Sequence, residues 1–158
     1  MFDLFKQYAT DPKAEQEGKE FDFGGGVKML IARSGNDKYT RMLNKAYEAH
    51  KHTLDLKDTP EQIAAGKELS HKIMADVMAH SILLGWSGPA AYAGAELPHS
   101  IENAQKLLLL KDFQVEVAKR SDDFRNFRYE VEEADAKNSL TSSSGNSPGE
   151  VALPISKD

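Results

Sequence analysis

Residues 82–110, ILLGWSGPAAYAGAELPHSIENAQKLLLL, constrain this chain more than any other stretch. They hold its single tryptophan, Trp86, set between Gly85 and Gly88 where a long helical pattern stops. Glycines there let the backbone leave the helix and present a large aromatic at the turn. Such a side chain anchors a loop to a core. Its indole N–H needs an acceptor, so the edge of the core is its expected place. Further on, Leu97-Pro98-His99-Ser100 restarts a helix, with Ser100 as N-cap and Glu102 in the first turn, where an acid suits the helix dipole. The run Leu107, Leu108, Leu109 and Leu110 then makes the helix apolar on every side. Such a helix is either central to the core or half covered by another subunit. Core burial is the simpler reading, and the surplus hints at a homo-oligomer.

The segments before this stretch change period twice. Phe2, Leu4, Phe5 and Tyr8 are spaced for one side of a short helix that Thr10-Asp11-Pro12 ends, and Phe2 and Phe5 are expected to dock on the protein's own core. From Lys19 to Arg33 the spacing is that of strands: Phe21 and Phe23 alternate with acids, and Val27, Met29 and Ile31 occupy alternate positions. Gly24-Gly25-Gly26 between the two runs supplies a hairpin reversal. Glycines preceding Lys28 also resemble a phosphate loop, but a phosphate loop runs from a strand into a helix, and these run into a second strand. A hairpin alone is not stable, so one face should lie on helices.

Asn36-Asp37 then caps an amphipathic helix with Met42, Leu43, Ala46, Tyr47, His50 and Leu54 at three- and four-residue steps, and Lys38, Arg41, Lys45 and Lys51 toward solvent. Thr59-Pro60-Glu61-Gln62 is the clearest helix start, with Thr59 as cap, Pro60 at the first helical position and Gln62 as the reciprocal partner. That helix is expected to reach about Leu84, with Ile63, Leu69 or Ser70, Ile73, Val77, Met78 and Leu84 on its apolar stripe and the small Ala64, Ala65 and Gly66 allowing close approach near its start. After the leucine run, Asp112 can cap a last helix carrying Phe113, Val117, Phe124, Phe127 and Val131. Its terminal acids oppose the helix dipole, so fraying or a cationic partner is expected there. The fold class is therefore α+β and predominantly helical. An N-terminal hairpin at about 19–33 packs on about four helices in one domain, 1–138, followed by a flexible Ser/Gly/Pro-rich tail, 139–158.

Chemistry is harder to find. Glu68-x-x-His71 has the acid-to-histidine spacing of di-iron bundles, and Asp76 and His80 lie one turn apart. A di-iron site needs that pair twice, and His71 and His80 point to opposite sides of one helix. Without cysteine there is no thiolate metal site and no disulfide. No nucleophile, base or paired carboxylates assemble, so no enzyme, cofactor or metal is expected. A net charge of −5 disfavours nucleic acid, and the acids around Phe124 and Phe127 cancel the field of Arg125 and Arg128. The polar N-terminus and a longest aliphatic run of four residues predict a soluble, unexported protein with no membrane span.

Several short motifs in order resemble the tail assembly chaperones of long-tailed bacteriophages. They are the N-terminal Asp3-Leu4-Phe5, the Phe-x-Phe and Val-x-x-Leu-Ile-Ala-Arg hairpin leading to Asn36, and the Gly85-Trp86 turn. The Leu97-Pro98-x-Ser100 restart and the closing Glu133-Ala134-Asp135-Ala136-Lys137-Asn138 complete the set. The glycine-only hairpin turn and the loop Pro89–Gly94 depart from the family's pattern.

The resemblance implies a holdase that keeps the apolar helices of the tape measure protein soluble and recruits tail tube protein. It would act in the host cell cytoplasm and be absent from the mature virion. It also implies a longer product made by programmed frameshifting. Lys137-Asn138 can be encoded as AAA AAC, which after an A forms a slippery heptamer. Residue type then makes Phe2, Phe5, Trp86, Leu107, Leu108, Leu109, Leu110, Phe124 and Phe127 the candidates for partner contact. The alternatives are a structural virion component, such as a tail-completion or connector-associated subunit, and a small metal-dependent enzyme.

Overall fold

The alternating residues near the N-terminus do pair. In the computed structural model, which describes residues 1–130, β1 (Lys19–Gly24) and β2 (Val27–Ile31) form an antiparallel hairpin with Phe21 opposite Met29. Two short helices precede it, α1 (Leu4–Tyr8) and α2 (Pro12–Glu17). Asp11 caps α2 and Pro12 is at its first position, so the residues expected to stop one helix also start the next.

α3 (Asp37–Asp55) begins where Asn36 accepts a hydrogen bond from the Tyr39 amide at 3.0 Å. The Asn36 side-chain amide also donates to the carbonyls of Arg33 and Ser81, so this cap ties the end of the next helix to the start of its own. α4 (Pro60–Ser81) carries the full capping box. Thr59 Oγ1 accepts from the Gln62 amide at 3.1 Å, and Gln62 Oε1 accepts from the Thr59 amide at 3.2 Å.

The main departure from the sequence reading follows α4. The helix does not run to Leu84; it ends at Ser81, and β3 (Leu83–Ser87) adds a third strand beside β2, with Trp86 opposite Met29. A short apolar run such as Ile82-Leu83-Leu84 fits a buried helix turn and a buried strand equally, and here the open edge of β2 decides. Gly88 lets β3 close on the hairpin: it sits at φ +92°, and a Cβ there would collide with the Gly26 carbonyl. Beyond it, β4 (Ala91–Tyr92) and β5 (Ala95–Glu96) form a small separate hairpin.

α5 (Ile101–Leu108) starts at Ser100, which accepts from the Asn103 amide at 3.0 Å. α6 (Lys111–Asp122) has Leu110 as its N-cap residue without a side-chain cap; Asp112 is in the first turn, not at the cap. It stops well before Val131, giving way to a 3-10 turn, Phe124–Phe127, capped by Asp123. Asp123 also meets the Arg125 guanidinium at 2.8 Å, so an acid beyond the helix end has its cationic partner two residues away.

The core lies where one face of the sheet meets the last turns of α4, α5 and α6. Ile31, Ile82, Leu83, Leu108 and Val117 are fully enclosed there. Phe127 is fully enclosed too, packed against Phe21 with 6.4 Å between ring centroids. Two buried hydroxyls are satisfied by carbonyls: Ser121 donates to that of Ala32 at 2.8 Å, tying the end of α6 to the end of β2, and Ser81 donates to that of Val77 one turn back in its own helix. Met1–Arg128 form one compact unit. The tail expected at 139–158, and the motif Glu133–Asn138, lie outside the described residues.

Candidate partner-binding surfaces

A long helix buried along its whole apolar stripe would leave nothing to bind with, and α3 and α4 are not buried that way. No residue of α3 is buried, and the buried residues of α4, Ala75 to Ser81, all lie in its last two turns. The two helices pack on each other and form a hairpin arm whose far end stands clear of the core. Tyr47 and Ile63, both on the expected apolar stripes, remain 44% and 42% exposed. Between them runs a groove of about 510 Å³, lined by Leu54, Leu56, Gly66 and Ser70 as well as these two. The Tyr47 hydroxyl donates to Asp55 at 3.2 Å, and the charge of Asp55, reinforced by that bond, holds the phenol above its ordinary pKa.

A second groove of about 490 Å³ lies on a neighbouring face of α4, sharing Lys67 with the first, against the junction of α5 and α6. Ala64, Lys67, Glu68, His71, Lys72, Leu109 and Lys111 line it. The junction is held by side chains of opposite elements. His71 Nε2 lies 2.9 Å from the Leu109 carbonyl, and Gln114 donates to the Leu108 carbonyl at 3.1 Å. Both satisfy carbonyls that the end of α5 leaves without helical partners. The second histidine, His80, has Nδ1 2.9 Å from the Asp76 carbonyl one turn earlier. Both imidazoles thus contact backbone, and among the described residues no group of three or more histidines and acids is placed to hold a metal.

The leucine run divides between core and surface. Leu107 and Leu108 are buried, whereas Leu109 and Leu110 are 46% and 45% exposed. The helix ends at Leu108, and the change of direction into α6 turns the last two leucines outward.

The aromatic candidates divide in the same way. Phe2 and Phe5 do not dock on the core: they are 67% and 71% exposed, because α1 is moored through Tyr8, which stacks on Phe124 at 5.6 Å. Phe124 is half-buried between Tyr8 and the Arg128 guanidinium. Phe127 is removed from the contact candidates altogether, since it has no exposed surface to offer a partner. Trp86 is half-buried, donates Nε1–H to the Leu97 carbonyl at 2.8 Å and meets His99 edge-on at 4.8 Å. It therefore pins β3 to the segment entering α5.

Two groups besides Tyr47 are displaced from their ordinary pKa values. Hydrogen bonds from Arg125 hold Asp123 low, and Asp123 in turn holds Arg125 high. No helix among the described residues is long and apolar enough to cross a membrane. The grooves beside α4 were missed from sequence because α3 and the first half of α4 carry the same three- and four-residue spacing as a buried helix. The signal was composition: Ala64, Ala65 and Gly66, expected to allow close approach, and Ala46 on α3 fill positions where a core helix carries large side chains. The sequence model of a family described as YdaY prophage protein matches residues 34–138, from just before α3 through the arm, β3, α5 and α6. No curated protein and no solved structure matches the chain.

Proposed function

The chain belongs to the YdaY prophage protein family, and from that premise we propose that it is a phage tail assembly chaperone that holds the tape measure protein. The observation that carries the reading is the arm: a helix of 19 residues that buries none of them, beside exposed Leu109 and Leu110. Folding stability does not require such a helix to stand out from the core, whereas a client helix laid along it would cover its apolar stripe. The exposed Phe2 and Phe5 supply a second contact region of the same chemistry. A tape measure protein is a long helix with apolar faces that must stay unaggregated until tube subunits surround it. Apolar grooves between helices suit that client better than a small molecule.

In this reading the chain also recruits tail tube protein, acts in the host cytoplasm without catalysis or cofactor, and leaves before the particle is complete. A frameshifted longer form would begin near Lys137-Asn138, where the family match also stops. Mass spectrometry of purified particles separates this function from that of a structural tail component. The chaperone reading expects tape measure and tube peptides without peptides of this chain. Stoichiometric recovery of the chain from particles would assign it to the virion instead.

A further inference from the structure

We propose that the groove between α4 and the α5–α6 junction is a docking site for an acidic amphipathic helix, one with an apolar stripe flanked by Glu or Asp. The protein carries a net charge of −5, yet this groove is lined by Lys67, Lys72 and Lys111, with Glu68 the only acid among its lining residues. Glu68 is itself 3.6 Å from Lys72, which leaves Lys67 and Lys111 to face the groove's occupant. The apolar surface there comes from Ala64 and the outward-turned Leu109, with Leu110 next in the chain. An occupant must therefore bring apolar side chains to the floor and negative charge to the rims, and a helix with an acid-flanked stripe does both.

A nucleic acid would meet the same lysines but has no use for the leucine, and the aromatic ring in the groove's lining, the His71 imidazole, is held against the Leu109 carbonyl with no Phe, Tyr or Trp beside it to stack a base. The floor is also fixed in shape. The contact of His71 with the Leu109 carbonyl and that of Gln114 with the Leu108 carbonyl hold the turn that presents Leu109. The groove therefore meets its occupant largely preformed. This deepens the chaperone reading and rests on it only for the client's identity, which would be an acid-flanked segment of the tape measure protein.

The test uses the full chain and two fluorescein-labelled synthetic helical peptides with the same leucine stripe, one flanked by Glu and one by Lys, read by anisotropy. The Glu peptide should bind and the Lys peptide should not, and binding should weaken as salt is raised. In the variant Lys67→Glu/Lys72→Glu/Lys111→Glu, all at exposed positions, affinity for the Glu peptide should fall at least about tenfold, with the preference reversed. Leu109→Ser should weaken both peptides on their respective partners.

Equal binding of the two peptides by the native chain overturns the proposal, as does unchanged binding by the charge-reversed variant. Displacement of the Glu peptide by a short RNA at equal concentration would give the groove to nucleic acid. A dimer in sedimentation that the charge reversal abolishes would give it to a second copy. If the native chain keeps tape measure protein soluble and the charge-reversed variant does so equally well, the groove fails and the chaperone reading stands. If the peptides behave as expected but the native chain does not solubilise the tape measure protein, the chaperone reading fails and the groove stands.

Discussion

Replacing Gly88 by alanine should cost far more than the same change at Gly94, although both glycines have positive φ, +92° and +85°. Each substitution forces an L residue into the left-handed region, which costs roughly 1–2 kcal/mol. At Gly94 nothing lies within 4 Å of the added Cβ, so the cost stops there. At Gly88 the Cβ lands on the Gly26 carbonyl oxygen, 2.9 Å from its carbon and 3.1 Å from Val27 Cα, and none of these backbone atoms can rotate away. The end of β3 must then separate from the hairpin. That adds about 1–3 kcal/mol for overpacking and about 1 kcal/mol for a weakened strand pairing.

The expected totals are about 3–6 kcal/mol for Gly88→Ala and ~1–2 kcal/mol for Gly94→Ala, against a native stability of roughly 5–15 kcal/mol. At roughly 4 °C per kcal/mol for a unit of this size, Gly88→Ala should lower Tm by roughly 12–24 °C and Gly94→Ala by less than half as much. Thermal unfolding followed by far-UV circular dichroism measures both. Equal losses would mean that β3 does not close against the hairpin turn, and the third strand would be misplaced.

Three further expectations follow from single contacts. Trp86→Phe removes the donor to the Leu97 carbonyl and should cost about 1 kcal/mol in urea unfolding, with the midpoint lowered and the slope unchanged. Asn36→Ala deletes the α3 cap and both links to Arg33 and Ser81; about 2 kcal/mol is expected in the same assay, more than a cap alone supplies. Tyr47 should titrate above the ~10 of a free phenol, because Asp55 raises it. Any stability from that pair is full below the free phenol's pKa and is lost as pH rises through the folded value. Asp55→Asn should bring the midpoint down in a spectrophotometric titration.

Much of the fold was legible where a residue has one physical use. Thr59 with Gln62, Asn36 and Ser100 could be read as caps because their side chains satisfy amides that nothing else would reach. The alternating Phe21, Phe23, Val27, Met29 and Ile31 could be read as strands for a similar reason, since only the two-residue period puts them on one face. What failed were positions settled by distant partners. Ile82-Leu83-Leu84 continues a helical pattern locally, and the free edge of β2, some fifty residues earlier, makes it a strand. Phe127 and Phe124 look alike in sequence, but the 3-10 turn sends one into the core and leaves the other beside Tyr8. Exposure was the least legible property of all. The stripe of α3 has the spacing of a buried face, and only the placement of the core at the far end of α4 leaves it uncovered.

We propose that this prophage-family chain holds the tape measure protein through its arm and the grooves beside α4. The most direct measurement is the soluble fraction of the tape measure protein encoded by the same prophage, expressed alone and together with this chain. The expected result is a tape measure protein that is insoluble alone, becomes soluble on co-expression and co-purifies with the chain. A tape measure protein that partitions identically in both conditions, with no complex recovered, would contradict it.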